Sequence, residues 1–326
     1  MQRLISFDIA KAICIILVVI GHYVPDYSPT WYMGTHDVIY TFHMPLFMFA
    51  SGYIYIATKK DIPYKKFIWK KVKRLMVPYL SVSAIVITIK MLTEGHAFVE
   101  NPVTWMSYVK MFYLPEAGYF LWFIWALWWM FVIVPLFKTR QMRSGLFALT
   151  IILHYIPSFL PETFCLRQFQ DMLVFFMLGV ACSDWKQEIS FIGKIPAWSV
   201  LGCFAIAESC YVMNIQGGQI AVFLPYLGIA AVMVLASLLE KWNIKGNGWL
   251  LVVSTSSYFI YLFHTTFEGF AKAVVAKIPI FTEGSNHALF CVNVVMVVAC
   301  GVVCPIILHH YVLNKTKITK VLFGLK

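Results

Sequence analysis

Apolar runs long enough to cross a lipid bilayer recur along almost the whole of this 326-residue chain. Hydrophobic residues make up 60% of it and charged residues 13%, a balance that a water-soluble core has no use for. The expected fold class is therefore all-α: a polytopic integral membrane protein, one membrane domain over residues 1–326 with no fused soluble module. The first apolar run begins with polar residues and lacks a small-residue cleavage site, so it is expected to be retained as a membrane helix.

Hydropathy places about ten helices, at roughly 9–25, 38–57, 75–92, 118–137, 146–160, 169–183, 197–213, 219–239, 249–268 and 288–312. Their orientation follows from the basic residues. Lys59, Lys60, Lys65, Lys66, Lys70, Lys71, Lys73 and Arg74 crowd the second connection, which the positive-inside rule assigns to the cytoplasm. Alternate connections then carry Lys138, Arg140 and Arg143; Lys186 and Lys194; Lys241 and Lys245; and a tail with Lys315, Lys317, Lys320 and Lys326. Counting Arg3, 20 of the 26 Lys and Arg fall on that side, which predicts cytoplasmic N and C termini and a multi-pass protein of the plasma (inner) membrane. The net charge of +11 is thus directed at anionic lipid headgroups and cytoplasmic anions, and nothing in it favours nucleic acid. The eight cysteines form no CxxC or Cys/His cluster, so no metal site and no disulfide framework are expected.

Ionisable groups are costly inside a bilayer, and those that occur there face a cavity or a partner. On the first helix Asp8, Lys11, Ile15, Val18 and His22 recur every three or four residues, so Lys11 and His22 share a stripe about 16 Å apart along the axis. Asp8 and Lys11 read equally as a helix-entry ion pair or as functional groups. His22, near the outer end of an apolar face, is placed to take a proton from a hydroxyl. His43, Asp171, Glu208, His264 and Glu268 are predicted to share the outer level with it, as a polar layer drawn from several helices. Trp122, Trp125, Trp128 and Trp129 lie on the fourth helix, and Tyr258 and Tyr261 approach His264 at three-residue spacing. Lys71 and Arg74, three apart and ahead of Pro78, are predicted to share one face at the inner mouth of the third helix, where they suit a polyphosphate or lipid headgroups.

Five segments, in order, resemble the acyltransferase type 3 family of membrane O-acyltransferases. "RLISFDIAKAICIILVVIGHY" is similar to that family's first helix, with an acidic residue, a basic residue three later and a histidine eleven beyond, here Asp8, Lys11 and His22. "YTFHMPLFMFASGYIY", with His43, Pro45, Ser51 and Gly52, resembles its second helix. "KKVKRLMVPYL", with Lys71 and Arg74 at a paired basic motif, resembles its third, and "YFLWFIWALWW" and "STSSYFIYLFH" resemble later signatures. Lysine stands at Lys11 and Lys71 where the family usually has arginine, keeping charge but losing a bidentate fork.

The resemblance implies transfer of an acyl group, acetyl by default, from acyl-CoA to a hydroxyl of a cell-surface or lipid-linked carbohydrate, without a metal. It implies His22 as general base, His43 to orient it or hold the oxyanion, and Asp8 beside them in the catalytic set. Lys11, Lys71 and Arg74 would bind the donor, while Trp122, Trp125, Tyr261, His264, Glu208 and Asp171 would line or support the acceptor site. An acyl-histidine intermediate is the alternative chemistry. The alternative function is a transporter, with Asp8, Lys11, Asp171 and Glu208 as a proton or substrate pathway.

Overall fold

The computed structural model describes residues 4–25, 27–94, 101–189, 193–213, 220–242, 248–278 and 286–325, so Arg3, Lys245 and Lys326 of the basic side lie outside the described residues. Every regular element there is helical. In chain order these are α1 (Ile5–His22), α2 (Thr30–Ala57), α3 (Tyr64–Lys71), α4 (Val77–Thr93), α5 (Ser107–Lys110), α6 (Trp122–Ile133), α7 (Arg140–Tyr155), α8 (Leu166–Asp184), α9 (Ala197–Val212), α10 (Leu224–Lys241), α11 (Gly248–Val275), α12 (His287–Leu308) and α13 (Lys317–Leu322). Among the described residues, seven helical stretches are long and apolar enough to cross a membrane: α1, the rod of α3 and α4, α6 with its flanking turns, α8, α10, α11 and α12 with its extension to Leu313. At 16 residues each, α7 and α9 are shorter than a bilayer-spanning helix usually is.

Helix ends depart from the hydropathy boundaries where helix and apolar run are different things. α2 begins at Thr30, not near 38, because backbone hydrogen bonding continues through its first two turns, whose polar and aromatic side chains are not apolar enough to register as a hydropathy run. His43 consequently lies mid-helix rather than at the helix entry. α11 likewise continues past Glu268 to Val275.

The chain forms two compact units, Met1–Ala50 with Lys186–Leu308, and Ser51–Trp185 with His309–Lys326. In the first, α1 is buried almost all round: Ile9, Ala10, Ala12, Cys14, Ile15 and Val19 are inaccessible. A helix apolar on every side belongs at the centre of its bundle. Its neighbours run in defined directions. Phe7 stacks on Phe49, Cys14 Sγ donates to the His43 carbonyl (3.1 Å), and Gly21 abuts Tyr40, so α1 and α2 are antiparallel. Ser254 meets Asp8 while His264 meets His22, so α11 runs parallel to α1. Tyr23 Oη donates to Asn293 Oδ1 (3.1 Å) near the start of α12, which returns antiparallel. The fully buried Asn293 also donates to Tyr27 Oη (2.6 Å).

In the second unit, Thr139 caps α7 by accepting from the Met142 N–H (3.2 Å), and Arg143 one turn on forms a bidentate pair with Asp184 at the end of α8 (2.6 and 2.7 Å). Arg143 also donates to the Phe137 and Lys138 carbonyls, so its buried charge is fully used. The charge counting of sequence treats Arg143 as one more surface cation; the fold makes it a clamp between antiparallel α7 and α8. Tyr79 Oη donates to the carbonyls of Met111 and Leu114 (2.7 and 2.9 Å), fixing the segment before α6 against α4. Phe164 and Cys165 both take left-handed backbone conformations, held by the Tyr113 carbonyl on one side and by Trp129 Nε1 on the other (2.7 and 3.0 Å).

Candidate functional site

Four histidines gather where the C-terminal end of α1 meets α2 and α11. The His22 ring packs on the His264 ring, centroids 4.9 Å apart and tilted by 58°. Tyr40 stands among His36, His43 and His22, with ring centroids at 4.2, 4.8 and 6.2 Å. One turn of helix separates Tyr40 from His36 and from His43, so all three project from one stripe of α2. His22 ends α1, where its imidazole stands at a helix C-terminus and is only half-buried, whereas His264 is fully buried.

Hydrogen bonding fixes two of the tautomers. His43 Nδ1 lies 2.8 Å from the Ile39 carbonyl, and His264 Nδ1 lies 3.1 and 2.9 Å from the carbonyls of Ile260 and Tyr261. A carbonyl only accepts, so each Nδ1 carries the hydrogen and each neutral ring keeps its lone pair on Nε2. The locked rings thus offer acceptors beside His22, with His264 in ring contact and His43 on the far side of Tyr40.

Carboxylates complete this region. Glu268 follows His264 by one turn, is buried, and has an Oε1 with no hydrogen-bond partner among the described residues. It fits because Gly301 of α12 has no side chain: a Cβ there would sit 2.8 Å from Val19 Cγ1 and 2.9 Å from Glu268 Cγ. Glu208 of α9, also buried, accepts from Thr41 Oγ1 (2.7 Å), two residues from His43, while its Oε2 has no partner among the described residues. Asp171 belongs to the other unit, where its carboxylate bonds Ser158 Oγ and its carbonyl accepts from His154 Nδ1 (3.2 Å). Of the residues expected to share a layer, His22, His43, Glu208, His264 and Glu268 belong to one unit, and Asp171 to the other, where it serves an α7–α8 contact.

At the opposite end of α1, Lys11 Nζ pairs with Asp8 Oδ1 at 2.7 Å, and Ser254 Oγ donates to the same oxygen (3.1 Å). Thus Asp8 lies with Lys11, about 21 Å along the axis from His22. Neither is fully buried, Lys11 keeping 27% of its side chain accessible.

Lys71 and Arg74, expected to share one face, stand at and within a π-helix from Val72 to Met76, whose wider turns increase the angle between residues three apart. The physical reason is Pro78, which lacks an N–H and whose ring would strike the Arg74 carbonyl in a regular α-helix. Lys71 turns inward, its ammonium 3.2 Å from the Phe131 ring centroid and 5.4 Å from that of Phe67. Arg74 is exposed and forms no ion pair among the described residues. Trp125 is buried between Tyr79 and Phe164 (5.7 and 5.5 Å), a packing role, whereas Trp122 is half-buried. Tyr261 is buried with its ring 6.3 Å from His264.

Sequence reading quoted Tyr40 and Ser254 at the head of two motifs without singling either out. The first was visible in principle as the residue one turn before His43; the second joins Asp8 only through packing of α11 on α1. No group of three or more His, Cys, Asp or Glu is placed to hold a metal ion among the described residues.

Two curated relatives align with this chain. Nodulation protein NolL of Sinorhizobium fredii is 28% identical over 218 residues, 64% of this chain and 57% of that protein. Nodulation protein NolL of Mesorhizobium japonicum is 30% identical over 148 residues, 44% of this chain and 38% of that protein. The chain spans about half the length of the curated relatives it matches. No solved structure matches it significantly. The family model described as an acyltransferase domain matches residues 4–309, which takes in α1 with His22, the π turn with Arg74, and α11 with His264. This chain belongs to the acyltransferase type 3 family.

Proposed function

We propose that the protein is a membrane O-acyltransferase that moves an acyl group, acetyl by default, from acyl-CoA to a hydroxyl of a cell-surface or lipid-linked carbohydrate in the plasma (inner) membrane. The observation that carries this reading is the His22 ring at the end of α1, in contact with the tautomer-locked His264 ring, in a chain of an acyltransferase family. His22 takes the proton of the acceptor hydroxyl as its oxygen attacks the thioester carbonyl. Collapse of the tetrahedral intermediate expels the CoA thiolate, which receives that proton from the imidazolium. The Nε2 lone pair of His264 is a ready acceptor for an N–H of His22, the arrangement by which a second group orients a general base. His43, locked by Ile39, borders the same space and supports the oxyanion or the acceptor. Family membership favours this enzyme over the transporter alternative, for which the ordered motifs have no use.

A ten-span arrangement with cytoplasmic ends remains part of this proposal; in the first unit α11 runs with α1 while α2 and α12 run against it, as alternating spans require. Supplying the purified protein with radiolabelled acetyl-CoA and cell-envelope extract should place alkali-labile label on a carbohydrate. Hydrolysis of the donor with no labelled acceptor, or label only in amide linkage, would remove the O-transfer reading.

Lys71 and Arg74 are the proposed holders of the CoA phosphates. Replacing both with Gln should raise KM for acyl-CoA about tenfold or more, since each charge-assisted contact contributes about 1.5–3 kcal/mol, and should leave kcat at saturation nearly unchanged. Lys71→Arg should lower KM if a guanidinium fork suits the phosphate. An unchanged KM in a well-folded double variant would assign the pair to topology alone.

A further inference from the structure

We infer that the second unit carries a binding site for one anionic glycerophospholipid, in a groove between α3 and α6. The groove has a volume of about 980 Å³, near the upper end of small-molecule sites. One wall is the face of α6 formed by Trp128, Trp129 and Val132, at i, i+1 and i+4. The other is α3, which contributes Lys65, Lys66 and Trp69. The walls are tied together: α6 tightens into a 3₁₀ turn at Val134–Leu136, and Tyr64 Oη donates to the Val132 carbonyl (2.8 Å).

Charge selects the occupant. No acidic residue occurs from Ile62 to Thr93 or from Ala117 to Pro161, so neither wall carries a negative charge. Lys65 and Lys66 line the groove, and Lys73, with its ammonium 5.6 Å from the Trp69 ring centroid, adds to the field on the same side. Trp69 is 60% exposed, and an indole left open on an apolar groove in a membrane protein marks a place where a partner brings apolar surface. A ligand that satisfies both walls has a negatively charged head for the two lysines and an apolar tail for Trp128, Trp129 and Val132. An anionic glycerophospholipid has that form and is supplied by the bilayer itself. This assignment does not depend on the acyl-transfer reading, because the groove uses neither His22 nor the residues around it.

The test is native mass spectrometry of the full chain in detergent, titrated with phosphatidylglycerol and with phosphatidylcholine of the same acyl chains. The wild type should bind one phosphatidylglycerol at least tenfold more tightly than phosphatidylcholine. Lys65→Gln with Lys66→Gln should abolish that preference, and Lys138→Gln with Lys186→Gln, an equal loss of charge elsewhere, should retain it. Equal affinity for the two lipids, an equal effect of both double variants, or one-for-one displacement of phosphatidylglycerol by acetyl-CoA would each overturn the assignment. Should the Lys65/Lys66 variant fold poorly, photoactivatable phosphatidylglycerol on the wild type decides: cross-links should map to residues 63–69 and 128–132, and cross-links confined to other peptides would sink the site.

Discussion

Alanine at His22 is expected to give a folded, membrane-inserted protein whose acyl transfer is lower by about two orders of magnitude or more, in kcat as well as in kcat/KM. The fold should survive because the His22 ring is half-buried at the end of α1, and its removal opens no sealed cavity of the kind that costs several kcal/mol. KM for acyl-CoA should change little, since the imidazole acts on the acceptor hydroxyl. That split separates a proton-transfer role from a binding role. Turnover close to wild type would take His22 out of the mechanism, and a loss expressed wholly in KM would make it a binding group.

Alanine at Gly52 should have the opposite character, with a large loss of stability and no role in chemistry. A Cβ at Gly52 would lie 2.0 Å from the Phe176 carbonyl oxygen and 2.9 Å from its carbon. Both atoms are backbone of α8, so no side-chain rotation relieves the contact, and α2 and α8 must move apart. We expect a cost of about 3 kcal/mol or more, at the upper end of overpacking effects, read as a lowered Tm and poor recovery in detergent. Gly202 of α9 is the control: nothing lies within 4 Å of its Cβ position, so Gly202→Ala should be neutral or stabilising by up to about 1 kcal/mol. Equal stability of the two variants would show that α2 and α8 do not pack this closely.

What the amino-acid order determined by itself was everything that depends on local period and composition. Long apolar runs have only the helix as a way to satisfy their backbone in lipid, so the helical class and the placing of the helices were legible. The same periodicity put Asp8 three residues from Lys11 and His22 on the Lys11 stripe of α1, and the ordered motifs around them pointed to the family. Tertiary structure decided which of these groups meet. Asp8 pairs with Lys11 and accepts from Ser254, which lies 246 residues from it in the chain. His22 acquires His264 as its neighbour because α11 packs parallel to α1, a relation that no spacing within either helix encodes. Arg143 is a clamp rather than a surface charge because Asp184 arrives at the end of another helix. The angle between Lys71 and Arg74 is set by a π turn that a proline downstream forces, whereas spacing alone assumes a regular helix. Periodicity reports the face of a helix on which a residue sits; what that face touches is set by how the helices pack, through contacts between residues distant in the chain.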